Sequence, residues 1–197
     1  MTIETACVIG VSFAGLPAAR TPADHARRLV LLEDVLAPGA VGHTSVPQGR
    51  HGHFLQPAAL EKLEDWFPGF TDDAVARGAV LAPPGHHSLF TNSEPMADSE
   101  DIVRTRPVHA GRRRPGACRC RCLRDRGRPL AGLDRFPAGL VDIGDAVATY
   151  NPVHGIGMAS ALNQASLLAD SLAGRSGDFL RMREAVVDEA WAVGAGR

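Results

Sequence analysis

The sequence contains no apolar run long enough for a membrane span, and its first residues lack both the basic start and the apolar core of a secretory leader. A cytoplasmic chain without a membrane span is therefore expected. Neither sign of charge is in excess: the formal net charge is -1 over 197 residues, which predicts no general attraction to nucleic acid or anionic lipid. Cysteine is scarce, four in all, and three of these fall between Cys118 and Cys122. In a cytoplasmic setting they are expected as reduced thiols. Lysine is almost missing, Lys62 being the only one, so nearly all basic residues are arginine. With the abundant Ala, Gly and Pro, this usage points to a gene rich in G and C. An apolar share of 45% still permits one sizeable core.

What is present is concentrated in two stretches. In the first, Gly139 to Met158 (GLVDIGDAVATYNPVHGIGM), the apolar residues Leu140, Val141 and Ile143 read as a short buried strand that ends at Gly144-Asp145. The chain then turns through Asn151-Pro152 to Gly155-Ile156-Gly157, just before a long helical pattern that starts at Met158. Glycines at a helix start let backbone N–H groups approach an anion, and the helix dipole favours negative charge there. A phosphate or an electron-rich ring is the expected guest; a strand, tight turn and core helix without a ligand is the alternative.

This order of residues resembles the second FAD-contacting segment of the flavoprotein hydroxylases, the p-hydroxybenzoate hydroxylase-like group that includes geranylgeranyl reductases. The resemblance implies that Asp145, after Gly144, bonds the ribityl chain, and that Pro152, Gly155, Ile156, Gly157 and Met158 line the pyrophosphate and the flavin ring.

The second stretch is N-terminal. A β-prone run, Thr5 to Ile9, ends at Gly10, and Gly10-Val11-Ser12-Phe13-Ala14-Gly15 opens a helical pattern. This is the layout of the dinucleotide fingerprint, in which glycines permit the tight turn, the close approach of pyrophosphate and the packing of helix on strand. Ser12 replaces the middle glycine, and its side chain takes up room. Arg28 to Leu32 reads as the second strand and ends at Glu33, 18 residues after Gly15, where a carboxylate is placed to accept from the adenosine ribose hydroxyls. The linking helix carries Pro17 and Pro22, and the latter predicts a short or kinked helix. In the segment from Val46 to Leu55, a Pro-Gln-x-x-His-x-His pattern also resembles the family, which implies that Arg50 reaches the FAD phosphates. His51 and His53 could instead begin a metal site, but no third ligand is evident.

The remainder reads as packing. Leu60, Leu63, Trp66 and Phe67 fall at helical spacing between Pro57 and Pro68-Gly69, Thr71-Asp72-Asp73 starts another short helix, and Ala79 to Ala82 is strand-like. A long helix carries an apolar stripe from Met158 to Leu172 and stops at Gly174, and a last helix is capped by Asp178. Between these parts, Gly111 to Arg128 holds eight arginines, three cysteines and one acid, with neither helical nor strand periodicity. A GC-rich gene read out of frame yields such runs, which suggests a deletion or frameshift scar. A thiolate metal site at Cys118, Cys120 and Cys122, or a nucleic-acid contact by the arginines, are weaker readings: a tetrahedral frame lacks its partner pair, and no aromatic residue is interleaved.

The expected fold is α/β, a Rossmann-like FAD-binding domain with a mostly parallel sheet and helices on both faces, lacking most of the substrate-binding domain. Residues 1–105 form its N-terminal part, 106–136 an irregular junction and 137–197 its C-terminal part. The resemblance implies an FAD-dependent oxidoreductase, a monooxygenase that uses NAD(P)H and acts on a small organic substrate. In such chemistry the flavin delivers the oxygen, so no side chain is named as acid, base or nucleophile. Without the substrate domain the flavin would lie open to solvent, and turnover is expected to be poor. A non-catalytic FAD- or ADP-binding module is the alternative, and a Cys-rich metal-binding protein the third.

Overall fold

The computed structural model describes residues 3–33, 53–81, 90–91, 94–95, 103–105, 126–128, 133, 135–151 and 155–194. The chain opens with β1 (Ile3–Ile9), α1 (Gly15–Ala23) and β2 (Ala26–Leu32). The two strands pair in parallel, with Ile3 opposite Ala26 and Ile9 opposite Leu32. The amide of Gly10 adds one further rung by donating to the Leu32 carbonyl at 2.8 Å. Parallel pairing needs a crossover, and α1 supplies it.

As expected, α1 is short. Pro17 lies in its first turns, where a missing N–H costs little, and Pro22 lies in its last turn, after which the helix stops at Ala23. Both prolines are buried, so the rings serve as apolar packing surface.

After β3 (His53–Leu55) come α2 (Pro57–Trp66), α3 (Phe70–Ala76) and β4 (Ala79–Leu81). Proline at the first position of α2 is pre-shaped for a helix start and loses no bond there. The N-cap of α3 is Gly69, which has no side chain to offer. Glu64 of α2 fills the role instead, accepting from the amides of Gly69 and Thr71 at 2.6 and 2.9 Å and from the Thr71 hydroxyl at 2.8 Å. These donors hold the Glu64 carboxyl below its ordinary pKa, the Thr71 amide contributing most.

Further strands are short: β5 (Phe90–Thr91), β6 (Glu94–Pro95), β7 (Val103–Thr105), β8 (Arg126–Gly127) and β9 (Ala148–Thr149). All their pairings are antiparallel: β7 lies between β3 and β4, β5 pairs with β6, and β8 with β9. The fold is thus mixed α/β. The expected mostly parallel sheet is corrected, since among the described residues only β1 and β2 run in parallel. The Arg-rich junction also contributes one strand, β8, where none was expected.

The chain closes with α4 (Ile156–Leu172) and α5 (Phe179–Gly194). As anticipated, Asp178 caps α5, accepting from the amides of Leu180 and Arg181. Among the described residues, no helix is long and apolar enough to cross a membrane.

Two apolar clusters hold these parts together. One joins Leu55, Ala59, Leu63 and Ala79 to Leu162 of α4. The other joins Val147, Ala148, Tyr150 and Ile156 to Val187 of α5, with Trp191 edge-on to Tyr150 at 5.8 Å between ring centroids. Leu162 has no exposed surface, and burying such a side chain contributes about 1.5–3 kcal/mol. Lys62 adds a polar tie from α2 to α4 through the Ser166 hydroxyl, 3.2 Å away.

Candidate functional site

The loop after β1 and the turn at residue 144 come together. Gly144 is buried at the start of a single 3₁₀ turn, Gly144–Ala146, and has φ +62. A Cβ built there would lie 2.5 Å from the Ala14 Cβ and 3.8 Å from the Ala161 Cβ. The turn is therefore wedged between the N-cap of α1 and the N-terminal half of α4. Gly15 shows the same closeness from the other side, since a Cβ there would fall 1.8 Å from the Gly10 carbonyl oxygen. Helix and strand approach so tightly that only glycine fits, which is what the third glycine of the fingerprint is needed for.

Glu33, at the end of β2, is partly buried, and its Oε2 accepts from the Val11 amide. The carboxylate is thereby fixed against the Gly10–Gly15 loop. Ser12, Phe13 and Ala14 complete that loop and are half-buried. Phe13 packs against the first apolar cluster, and so does Met158 from the other segment.

Residues 140–143 do not form the buried strand expected of them. Leu140 and Val141 are 52% and 42% exposed, and none of the four joins a ladder. The reason is visible in their hydrogen bonds. The Asp142 carbonyl accepts from Arg183 Nη1 at 3.3 Å, and the Gly144 amide donates to Gln164 Oε1 at 2.9 Å. Side chains of α5 and α4 thus take backbone groups on either side of Ile143.

Gln164 was not recognised in the sequence, yet it organises the turn. It has no exposed surface; its Nε2 donates to the Ser160 hydroxyl at 3.1 Å, which lies 3.2 Å from the Tyr150 hydroxyl. A buried polar chain therefore runs from Tyr150 through Ser160 and Gln164 to the Gly144 backbone. Its signal in the sequence is weak, a Gln four residues after a Ser on an otherwise apolar helix face.

Asp145 projects beside this anchored backbone. Much of its surface is open, but protein on one side of the carboxyl removes enough water to raise its pKa above the ordinary carboxylate value. Gly155 is the N-cap of α4, and among the described residues no side chain caps the first turn of that helix. Gly157 is half-buried close to the Tyr150 ring. Ile156 is 7% exposed and packs with Val147, Tyr150 and Val187, so its side chain belongs to the core and only its backbone faces outward chemistry.

Arg50 and Pro152 lie outside the described residues, as do His51 and the run from Cys118 to Cys122. Among the described residues, no group of three or more His, Cys, Asp or Glu could hold a metal ion. An open apolar cleft of about 580 Å³ is lined by Phe13, Leu16, Leu63, Trp66, Phe67 and Phe70, next to the fingerprint loop.

No family profile matches the chain. Over 79 residues, 40% of its length, it is 39% identical to Protein Rv3254 of Mycobacterium tuberculosis. The chain spans 17% of the length of that protein.

Proposed function

We propose that this chain binds FAD across the Ala14–Gly144 junction and derives from an FAD-dependent oxidoreductase of the hydroxylase type. The observation that carries the reading is the close approach of Gly144 to Ala14. It unites a fingerprint loop and a Gly-Asp turn that lie 130 residues apart in the chain, as a ligand long enough to need both would require.

The residues suit a dinucleotide. Gly10, Gly15 and the amides around Ser12, Phe13 and Ala14 form a Rossmann-like turn at a helix N-terminus, where a pyrophosphate is stabilised by backbone N–H groups and the helix dipole. Glu33 offers a carboxylate to a sugar at one end, and Asp145 offers another to the ribityl hydroxyls at the other. Gly155, Gly157 and Met158 would lie toward the flavin. When bound, the flavin supplies the redox chemistry, accepting reducing equivalents from NAD(P)H. The chain's own residues bind and orient it.

The experiment is reconstitution. Protein mixed with FAD and freed of excess by gel filtration should retain flavin absorption, with bands at roughly 375 and 450 nm. NADH and NADPH oxidation, peroxide release and product formation are then followed on the same sample. Retained flavin with consumption of NAD(P)H supports an oxidoreductase. Retained flavin without it supports the binding-only module, and no retained flavin refutes FAD binding in either form.

A further inference from the structure

The most deeply buried ion in the described structure, the arginine that holds the Asp142 carbonyl, has so far been given no role toward a ligand. Arg183 of α5 has no exposed side-chain surface. Its Nη1 donates to Asp142 Oδ1 and, at 3.3 Å, to the Asp142 carbonyl; its Nη2 donates to Glu184 Oε1 at 2.6 Å. Asp142 is 11% exposed and Glu184 30%. One guanidinium thus faces two carboxylates in a largely dry setting. Arg183 Nε and Asp142 Oδ2 remain buried without a hydrogen-bond partner among the described residues.

Such an arrangement is poorly suited to stability alone. Removing charges from water is costly, and a well-packed apolar pair of similar volume often serves as well. Its two orphaned polar atoms add to that cost. What the ion pair provides and an apolar pair cannot is a directional grip on a backbone carbonyl.

The location of the grip gives it a purpose. Asp142 precedes by three residues Asp145, which lies in the 3₁₀ turn that the extended Ile143 leads into. Gln164 holds the Gly144 amide from α4, and Arg183 holds the Asp142 carbonyl from α5. With no ladder bonds to fix residues 140–143, these two side chains determine how the backbone enters the turn, and therefore where the Asp145 carboxyl stands. We infer that Arg183 is a positioning residue, which with Asp142 clamps the strand-like entry to the turn so that Asp145 meets its ligand. The inference rests on the FAD reading above for the identity of that ligand.

The test combines a double-substitution cycle with amide exchange. FAD affinity is measured by fluorescence titration for the full chain, Arg183→Met, Arg183→Lys, Asp145→Ala and the Arg183→Met/Asp145→Ala pair, at a temperature where each is folded by circular dichroism. Arg183→Met should weaken FAD about 10-fold, the lower end of what loss of a supporting partner costs at metal sites. The same change should cost nothing further once Asp145 is alanine, and Arg183→Lys, which keeps the positive charge on a single donor nitrogen, should show a smaller loss than Arg183→Met. An equal loss in both backgrounds would overturn the positioning role, because a merely structural defect does not depend on Asp145.

Hydrogen exchange without ligand is the second arm. The Val147 amide, which donates to the Gly144 carbonyl at 2.9 Å, should exchange faster in Arg183→Met while β1 and β2 amides keep their rates. Uniform acceleration, or none, would overturn the clamp. Absence of FAD binding by the unaltered chain would instead refute the function proposed above, and the exchange arm would still decide the clamp.

Discussion

Substituting Gly144 by alanine perturbs the junction at its tightest point. The new Cβ meets the Ala14 Cβ at 2.5 Å, well inside van der Waals contact, and the residue must also keep φ at +62. The left-handed backbone costs an alanine about 1–2 kcal/mol. Overpacking a tight contact costs about 1–3 kcal/mol more. The expected destabilisation is therefore about 2–5 kcal/mol, measured by urea unfolding. The two contributions can be separated, since Ala14→Gly removes the atom that is struck and leaves φ untouched. In the Gly144→Ala background, Ala14→Gly should recover the steric share, about 1–3 kcal/mol, and leave the backbone share in place. Alone, it should not stabilise, because it places a more flexible residue at the cap of α1. Unchanged stability in Gly144→Ala, or no recovery on adding Ala14→Gly, would refute the claim that the two segments touch there.

Three further outcomes follow from the same geometry. Gln164→Leu preserves volume but strands the Gly144 amide in a buried setting, leaving the Ser160 hydroxyl with Tyr150 alone, and should cost about 1–3 kcal/mol in urea unfolding. Asp145→Asn should leave folding unharmed or slightly improved at neutral pH. The raised pKa means that the native state binds its proton more readily, so the charge weakens folding as pH rises through the shifted value. The difference in melting temperature should vanish below about pH 3, where both side chains are neutral. Glu64→Ala should speed amide exchange at Gly69 and Thr71. Because the Glu64 pKa is lowered, its contribution is present above the ordinary carboxylate pKa and fades as pH falls through the shifted one.

Local signals carried most of the element positions. Pro57 with the Leu60, Leu63 and Trp66 spacing marks α2, and the apolar stripe from Met158 marks α4, which starts two residues earlier at Ile156. Pro22 shortens α1 as a missing donor should. What failed was tertiary in origin. Leu140, Val141 and Ile143 have the composition of a buried strand, but strand formation needs a neighbouring ladder, and the backbone groups of Asp142 and Gly144 are bonded to Arg183 and Gln164. Neither partner was legible in advance: an arginine on an amphipathic helix ordinarily faces water, and only the packing of α5 buries this one. Glu64 is a similar case, because it caps a helix that begins six residues later, across the Pro68-Gly69 turn. Ile156, expected to line the flavin, has its side chain in the second apolar cluster, because the packing of α4 on α5 and Tyr150 is not written in the local Gly-Ile-Gly pattern.

As proposed, one elongated ligand is held at its adenosine end by Glu33 and at its flavin end by Asp145. Titration of the chain with FAD and, separately, with ADP tests it most directly, using Glu33→Ala and Asp145→Ala as probes. Glu33→Ala should weaken both ligands, whereas Asp145→Ala should weaken FAD and leave ADP unchanged. Absence of saturable binding by the unaltered chain, or an Asp145→Ala variant that binds FAD as tightly as its parent, would refute two-ended binding.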